Sequence, residues 1–467
     1  MTESTAAVSN PLATEPDSAR VSQKVMILYG LGQTGAQLFR DAPAVLLPLF
    51  MTTMLGISPW LAGIVVLIPK MWVIFCDPIM GSYSDHLKPK VARRPFLAGG
   101  AILTSLTFIA LFAFSGFPSP TIAALVVGIV FFIASTAFSA FSVPYLAVAS
   151  ELSSDPHERT KILSVRIVFA VVGVIMGVGL AQPLVFMLGG DAAAWRTMAI
   201  IFGTVCLGAM LATAYGVPKD FGAAHHSAAK SVRERFAVVR ENKPFIVMTL
   251  TYLVQSIGQA SSYAVVGFIF LYAVGDINLL LPFVLVMSSG SISSQPVWLK
   301  ISRKIGKEGA FWLACGGWIL VTITWFWLEP GTDKLATLPV LGEVSTQDLL
   351  VLVRAFIIGC TNAGFSVLSF SLLTDTISRQ KALGKSVDEG LFSGIFSAVE
   401  KLGFALGPML AGLVLSIAGF ESSVGGAVDQ DAGAVKGMIL CYSLIPATIL
   451  GLSLLVFTQY KKAMHQA

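Results

Sequence analysis

Charge is what this 467-residue chain has least of: Asp, Glu, Lys and Arg together make up 12% of it. A soluble domain carries about 25%. Hydrophobic residues fill 55% and the mean hydropathy is +0.79, so composition leaves only the class of polytopic membrane proteins. Cysteine is scarce as well. Cys76, Cys206, Cys315, Cys360 and Cys441 all fall inside apolar runs, where they read as small hydrophobes rather than as a disulfide set or a metal site. The chain has no phosphate loop, no HExxH and no cysteine pair at zinc spacing. It is therefore read as a non-enzyme that needs no metal or cofactor. The net charge of +5 calls for no nucleic acid. Residues 1–23 lack the basic start and apolar core of a signal peptide, so 1–24 is read as a disordered cytoplasmic tail.

What is present is a series of long apolar runs. A hydrocarbon core about 30 Å thick takes roughly 20 residues per helical span. Runs of that kind lie near 25–54, 59–84, 96–116, 120–149, 162–187 and 194–216. After a charged linker, 217–243, six more follow near 244–274, 278–302, 309–328, 346–374, 389–416 and 435–458, and 459–467 is left as a tail. With the N-terminus inside, only Arg196, Lys334 and Lys436 of the 31 basic residues fall outside. Five more (Arg40, Lys70, Arg166, Arg354 and Lys401) lie within spans, and the rest are cytoplasmic, a strong positive-inside pattern. Basic loops recur at matching places, DHLKPKVARRP after the second span and SRKIGKEGA after the eighth. This points to two six-helix repeats with a path between them.

Charges within spans cost on the order of 2.5–3.5 kcal/mol each at the bilayer centre, so they face a cavity or a partner. Lys70 and Asp77 are seven residues apart, about two turns, and share one face of the second span. In the first span Gln33, Gln37 and Asp41 recur every four residues, with Arg40 beside Asp41. This stripe either lines a cavity or knits helices together. Asp77-Pro78 is either a coupling carboxylate or a simple kink. Arg166 reaches the cavity or snorkels to the membrane surface. Gln255, Gln259 and Ser262 form a polar stripe in the seventh span. Ser393, Ser397 and Lys401 share a face in the eleventh, beside Glu400.

The stretches YGLGQTGAQLF (29–39), IPKMWVIFCDPIMGSYSD (68–85), VPYLAVASELSSDPHERTKILSVRIVFA (143–170) and DEGLFSGIFSAVEKLGFALGPMLAG (388–412) resemble the glycoside–pentoside–hexuronide cation symporters of the major facilitator superfamily. The resemblance covers both halves of the chain. It implies an all-α fold of twelve transmembrane helices in two six-helix bundles that alternate access to a central site. The family's first cation-binding carboxylate of the second helix is Val73 here and the second is Asp77. The carboxylate of the fourth helix is Ser142, and the sugar-binding acid of the first helix aligns with Gln37. The basic positions Lys70, Arg166 and Lys401 carry over.

With most of those acids gone, Na⁺ is a poorer co-substrate than H⁺, which a lone carboxylate can carry. Gln37, Asp41, Arg166, Gln255 and Lys401 are assigned to the solute, and Asp77 with Lys70 to coupling. Gly81, Asp85, Arg93 and Arg94 are assigned to a cytoplasmic gate. The expected function is secondary active transport of a sugar-, glycoside- or uronate-type solute. An uncoupled facilitator or exporter of an anionic or amphipathic solute is the alternative, and a non-transporting assembly factor stands behind it. The partners are a small solute and the lipid bilayer of the bacterial inner membrane, with a monomeric protein and both termini cytoplasmic.

Overall fold

A computed structural model describes residues 21–87, 93–153, 155–218, 238–329, 335–338, 342–384 and 389–466. Helix follows helix: α1 (Gln23–Thr53), α2 (Pro59–Leu87), α3 (Arg94–Ala113), α4 (Pro120–Leu152), α5 (Pro156–Val174) and α6 (Ala192–Gly216). Helix α5 continues through a π-helical turn, Ile175–Leu180, into Ala181–Met187. The second half holds α7 (Lys243–Phe268, extended by a π turn to Val274), α8 (280–305), α9 (307–323), α10 (Thr346–Ala382), α11 (Glu389–Ile417) and α12 (Ala432–Tyr442 and Leu444–Gln466). Helices α8 and α9 form one continuous run whose only non-helical residue is Gly306, at φ 79°. That left-handed conformation is open to glycine and strained for a residue with a Cβ, so the chain turns back there. A short antiparallel ribbon, Ala336–Leu338 against Gly342–Val344, precedes α10.

Ten described helices are long and apolar enough to cross a membrane, and one of them is the bent α8–α9 run. Helix α1 lies outside that set because Gln33, Gln37, Arg40 and Asp41 make its middle polar. Counting α1, and counting the bent run as two, gives twelve spans. The chain is an all-α integral membrane protein. Helix α12 continues through Lys461 and Lys462, where the sequence reading placed a tail.

Within the first half, α1 packs on α5 and α6, α3 on α4 and α6, and α2 on α4; within the second, α8 and α9 pack on α10, and α7 on α11 and α12. Between halves the main contacts are α2 with α11, the π turn of α5 with α8, and α1 with α7. Swapping the halves (span n for span n+6) exchanges the first two pairs and maps the third onto itself, as an axis along the membrane normal requires.

The ends of the helices define two faces. The terminal face holds the start of α1 and the end of α12. At the opposite face the halves are sewn together by backbone. Gly56 N donates to Ser423 O at 2.9 Å, Ser423 N to Thr52 O at 2.9 Å, and Gly425 N to Met54 O at 3.1 Å. Trp60 N donates to Ser416 Oγ at 2.9 Å. Gln182 Nε2, at the far end of α5, donates to Gly267 O of α7 at 2.9 Å. Helices α2 and α11 approach so closely here that a Cβ on Gly412 would sit 2.2 Å from Pro59 O. Small residues are what permit such an approach between membrane helices. Toward the terminal face the bonds run within each half instead: Arg94 Nε to Ala214 O, Lys307 to Asp375, Asn242 Nδ2 to Thr376 O. Among the described residues the space between the halves therefore opens toward the terminal face.

Candidate transport site

The polar stripe of α1 forms a hydrogen-bonded chain. Gln33 Nε2 donates to Gln37 Oε1 at 3.2 Å, and Gln37 Nε2 donates to Asp41 Oδ2 at 2.6 Å. Asp41 Oδ1 meets Arg40 Nε at 3.4 Å. Residues four apart on a helix are neighbours on one face, so the sequence builds this chain locally. Gln37 and Asp41 are buried, whereas the Arg40 side chain is 63% exposed. Arg40 nevertheless stands midway along α1, within electrostatic reach of Glu400 on α11 and Tyr263 on α7. Exposure amid side chains from the other half means that Arg40 projects into the cleft.

Lys401 Nζ of α11 donates to Asp77 Oδ2 of α2. This ion pair joins the halves at the level where they part. Asp77 Oδ1 is buried with no hydrogen-bond partner among the described residues. Lys70 shares the Asp77 face, as the spacing predicts, but its Nζ approaches Phe404 O of α11 at 3.5 Å and lies near Asp41 and Arg40. Seven residues of helix rise about 10 Å, farther than a lysine spans to a carboxylate on its own helix. The ion pair expected within α2 is thus replaced by one between α2 and α11.

Arg166 stands toward the open end beside Tyr29 and Tyr145. Those two rings stack at 4.7 Å, and Tyr145 Oη donates to Tyr29 O at 3.0 Å. Gln255 is fully buried, with Nε2 3.5 Å from Cys315 Sγ of α9. It points into the second half, away from the cleft. On α7 it is Tyr252 and Tyr263, eleven residues and so about three turns apart, that face the centre. Tyr252 lies near Glu400, and Tyr263 near Asp41. Of the gate residues, Arg93 Nη1 donates to Ser84 Oγ at 2.8 Å. Arg94 caps α6 through Ala214 O and Tyr215 O and lies over the Tyr215 ring. Gly81 faces Val143. These contacts hold the first half together. The Asp85 side chain lies outside the described residues.

Seen together, the centre has three cations, Arg40, Lys70 and Lys401, and three acids, Asp41, Asp77 and Glu400, drawn from both halves. Such a charged, partly exposed seam suits a solute path. A family model described as MFS/sugar transport protein matches residues 28–462. The chain belongs to this sugar-transport family of the major facilitator superfamily. It is a transporter, not an enzyme.

Similar proteins include the inner membrane symporter YicJ of Escherichia coli, 21% identical over 94% of this chain and 92% of that one. The isoprimeverose transporter of Lactiplantibacillus pentosus is 21% identical over 93% and 87%. Among solved structures, the nucleoside transporter NupG aligns with a TM-score of 0.61 at 14% identity, covering 96% of this chain and all of that one. A bacterial homologue of the lysosomal transporter Spinster aligns at 0.61 and 13%, covering 94% and 95%. At such identities the likeness is one of fold.

Proposed function

We propose that the protein is a secondary active transporter of a small sugar-, glycoside- or uronate-type solute, working by alternating access with proton symport. It would sit in the bacterial inner membrane with both termini cytoplasmic. The basic residues of the terminal face support that orientation, and the cleft would then open inward. The observation that carries the coupling is the Lys401–Asp77 pair. Because it bridges the halves where they part, neutralising Asp77 removes a link that holds one state. A proton does so and releases Lys401. A ligand moves such an equilibrium only through its different affinity for the two states, and the pair supplies that difference. Sodium suits the site less well: the carboxylate already holds an ammonium, and Val73 and Ser142 offer no further charge. The relatives' names, an inner membrane symporter and an isoprimeverose transporter among them, support a coupled sugar carrier.

The test is uptake of radiolabelled xylose, lactose, melibiose and glucuronate into proteoliposomes under an imposed pH gradient, with and without Na⁺. Accumulation that needs the gradient, ignores Na⁺ and collapses with a protonophore is expected. The variant Asp77→Asn should lose accumulation and keep solute exchange. Accumulation that persists in this variant would overturn the coupling role. A second reading, an uncoupled facilitator or exporter of an anionic solute, draws on Arg166, whose described neighbours are tyrosines rather than carboxylates. Movement of glucuronate alone, indifferent to protonophore, would favour it.

A further inference from the structure

Arg40 differs from every other cation of the cleft. Lys401 is taken by Asp77, and Lys70 meets a backbone carbonyl. Arg40 uses only Nε, in a loose 3.4 Å contact with Asp41, and its two Nη groups have no hydrogen-bond partner among the described residues. Guanidinium presents its donors in a fixed planar fork, here aimed into accessible space at mid-helix. Across the cleft, on the other half, Glu400 lies within electrostatic reach of it, with Tyr252 beside the carboxylate and Tyr263 beside Arg40. Neither Arg40 nor Glu400 is among the residues that the family resemblance carries over.

We propose that Arg40 and Glu400 are the solute-gripping pair, one from each half, holding adjacent hydroxyls of an uncharged sugar ring. This rests on the sugar-transporter reading above. A diol satisfies both groups at once, since its oxygens accept from the guanidinium and its hydroxyl hydrogens are donated to the carboxylate. An anion satisfies Arg40 alone and is repelled by Asp41 and Glu400, which flank it. Tyr252 and Tyr263 supply rings with polar tips, suited to a sugar's mixed faces. Because the two gripping groups belong to different halves, a bound diol draws the halves together, which is what a solute must do to favour closure of the cleft.

The experiment is equilibrium binding to the purified full-length protein of xylose, lactose, melibiose and glucuronate, followed by the same measurement on Arg40→Gln, Arg40→Lys and Glu400→Gln. For the uncharged sugar that binds, each variant should lose about 10- to 100-fold in affinity, as expected for a hydrogen bond to a charged group. Deoxy analogues of that sugar separate contact from structure. The analogue lacking the gripped hydroxyl should bind wild type as weakly as the variants bind the parent sugar, with no further loss in the variants. Glu400→Gln is isosteric, and so keeps the test valid if an Arg40 variant does not fold. Sugar affinity within about twofold of wild type in Glu400→Gln and Arg40→Lys would overturn the pair and leave the transporter reading standing. Binding of glucuronate alone would overturn the uncharged class. No binding of any sugar in the panel would sink the sugar reading and this inference with it.

Discussion

Asp77 and Lys401 are partly exposed, the side chains 17% and 36%, so their ion pair sits between the surface and buried regimes. Breaking a fully buried pair by removing one member costs about 3–5 kcal/mol, because the other charge is left stranded. Lys401→Met should therefore destabilise the protein by less than that, and adding Asp77→Asn should restore much of the loss. Thermal unfolding of both variants in detergent measures it, and a double variant no more stable than the single would mean that the two side chains do not act on each other. The double variant should also lose gradient-driven accumulation, since stability returns without the switch. At this scale the sequence was informative wherever a contact stays within one helix. The Gln33–Gln37–Asp41 chain and the shared face of Lys70 and Asp77 follow from spacing alone. Partners from other helices were not legible: nothing in α2 announces Lys401, and nothing in α1 announces Glu400. Gln255 looked equivalent to its neighbours because a polar stripe fixes a face without saying which helix lies against it.

A helix can be polar along one stripe and still cross a membrane when its charges find partners or a cleft, and α1 does this, with Gln37 and Asp41 buried and Arg40 projecting into the cleft. Helices α2 and α11 form the largest contact between the two halves, from Trp60 and Ser416 down to Asp77 and Lys401. Their approach depends on Gly412 and Gly63, where an added Cβ would lie 2.2 Å from Pro59 O and 2.8 Å from Met409 Cα. Both obstacles are backbone, which a rotamer change cannot move aside. Gly412→Val should therefore hold α2 and α11 apart at the opposite face and abolish uptake, while each half keeps its own packing and the protein still inserts. Uptake in proteoliposomes, read beside the elution profile in detergent, checks this. A variant that elutes normally and transports normally would show that the close approach is dispensable. The number of spans was readable from apolar runs because the bilayer fixes helix length. The turn at Gly306 and the extension of α12 past Lys462 were harder to place, since a glycine or a lysine pair marks several kinds of helix end equally well.

At the scale of the whole molecule, the two halves are joined at one face and separated at the other, so transport to the far side requires the joined face to part. The seam there is made mainly of backbone hydrogen bonds between the α1–α2 and α11–α12 loops, joined by Ser422 Oγ and Ser423 Oγ donating to Ile57 O and Thr53 O, with Leu55 and Val424 paired across it as in an antiparallel bridge. Backbone bonds of this kind depend little on side-chain identity, which is why no motif in either loop foretold them. They also have no charge to be screened or titrated, so the seam should open through forces generated deeper in the cleft, at Asp77 and Lys401, rather than by local signals. Opposed residues of an antiparallel pair have Cα atoms about 4.5–5.5 Å apart, inside the range a disulfide bridges. The double substitution Leu55→Cys and Val424→Cys should therefore crosslink under mild oxidant. With the seam closed covalently, net uptake should stop and return on reduction, while sugar binding from the open face persists, because the cleft is untouched. Uptake at the wild-type rate in fully crosslinked protein would mean that these loops stay joined throughout the cycle, and that the halves move about them as a hinge rather than parting there.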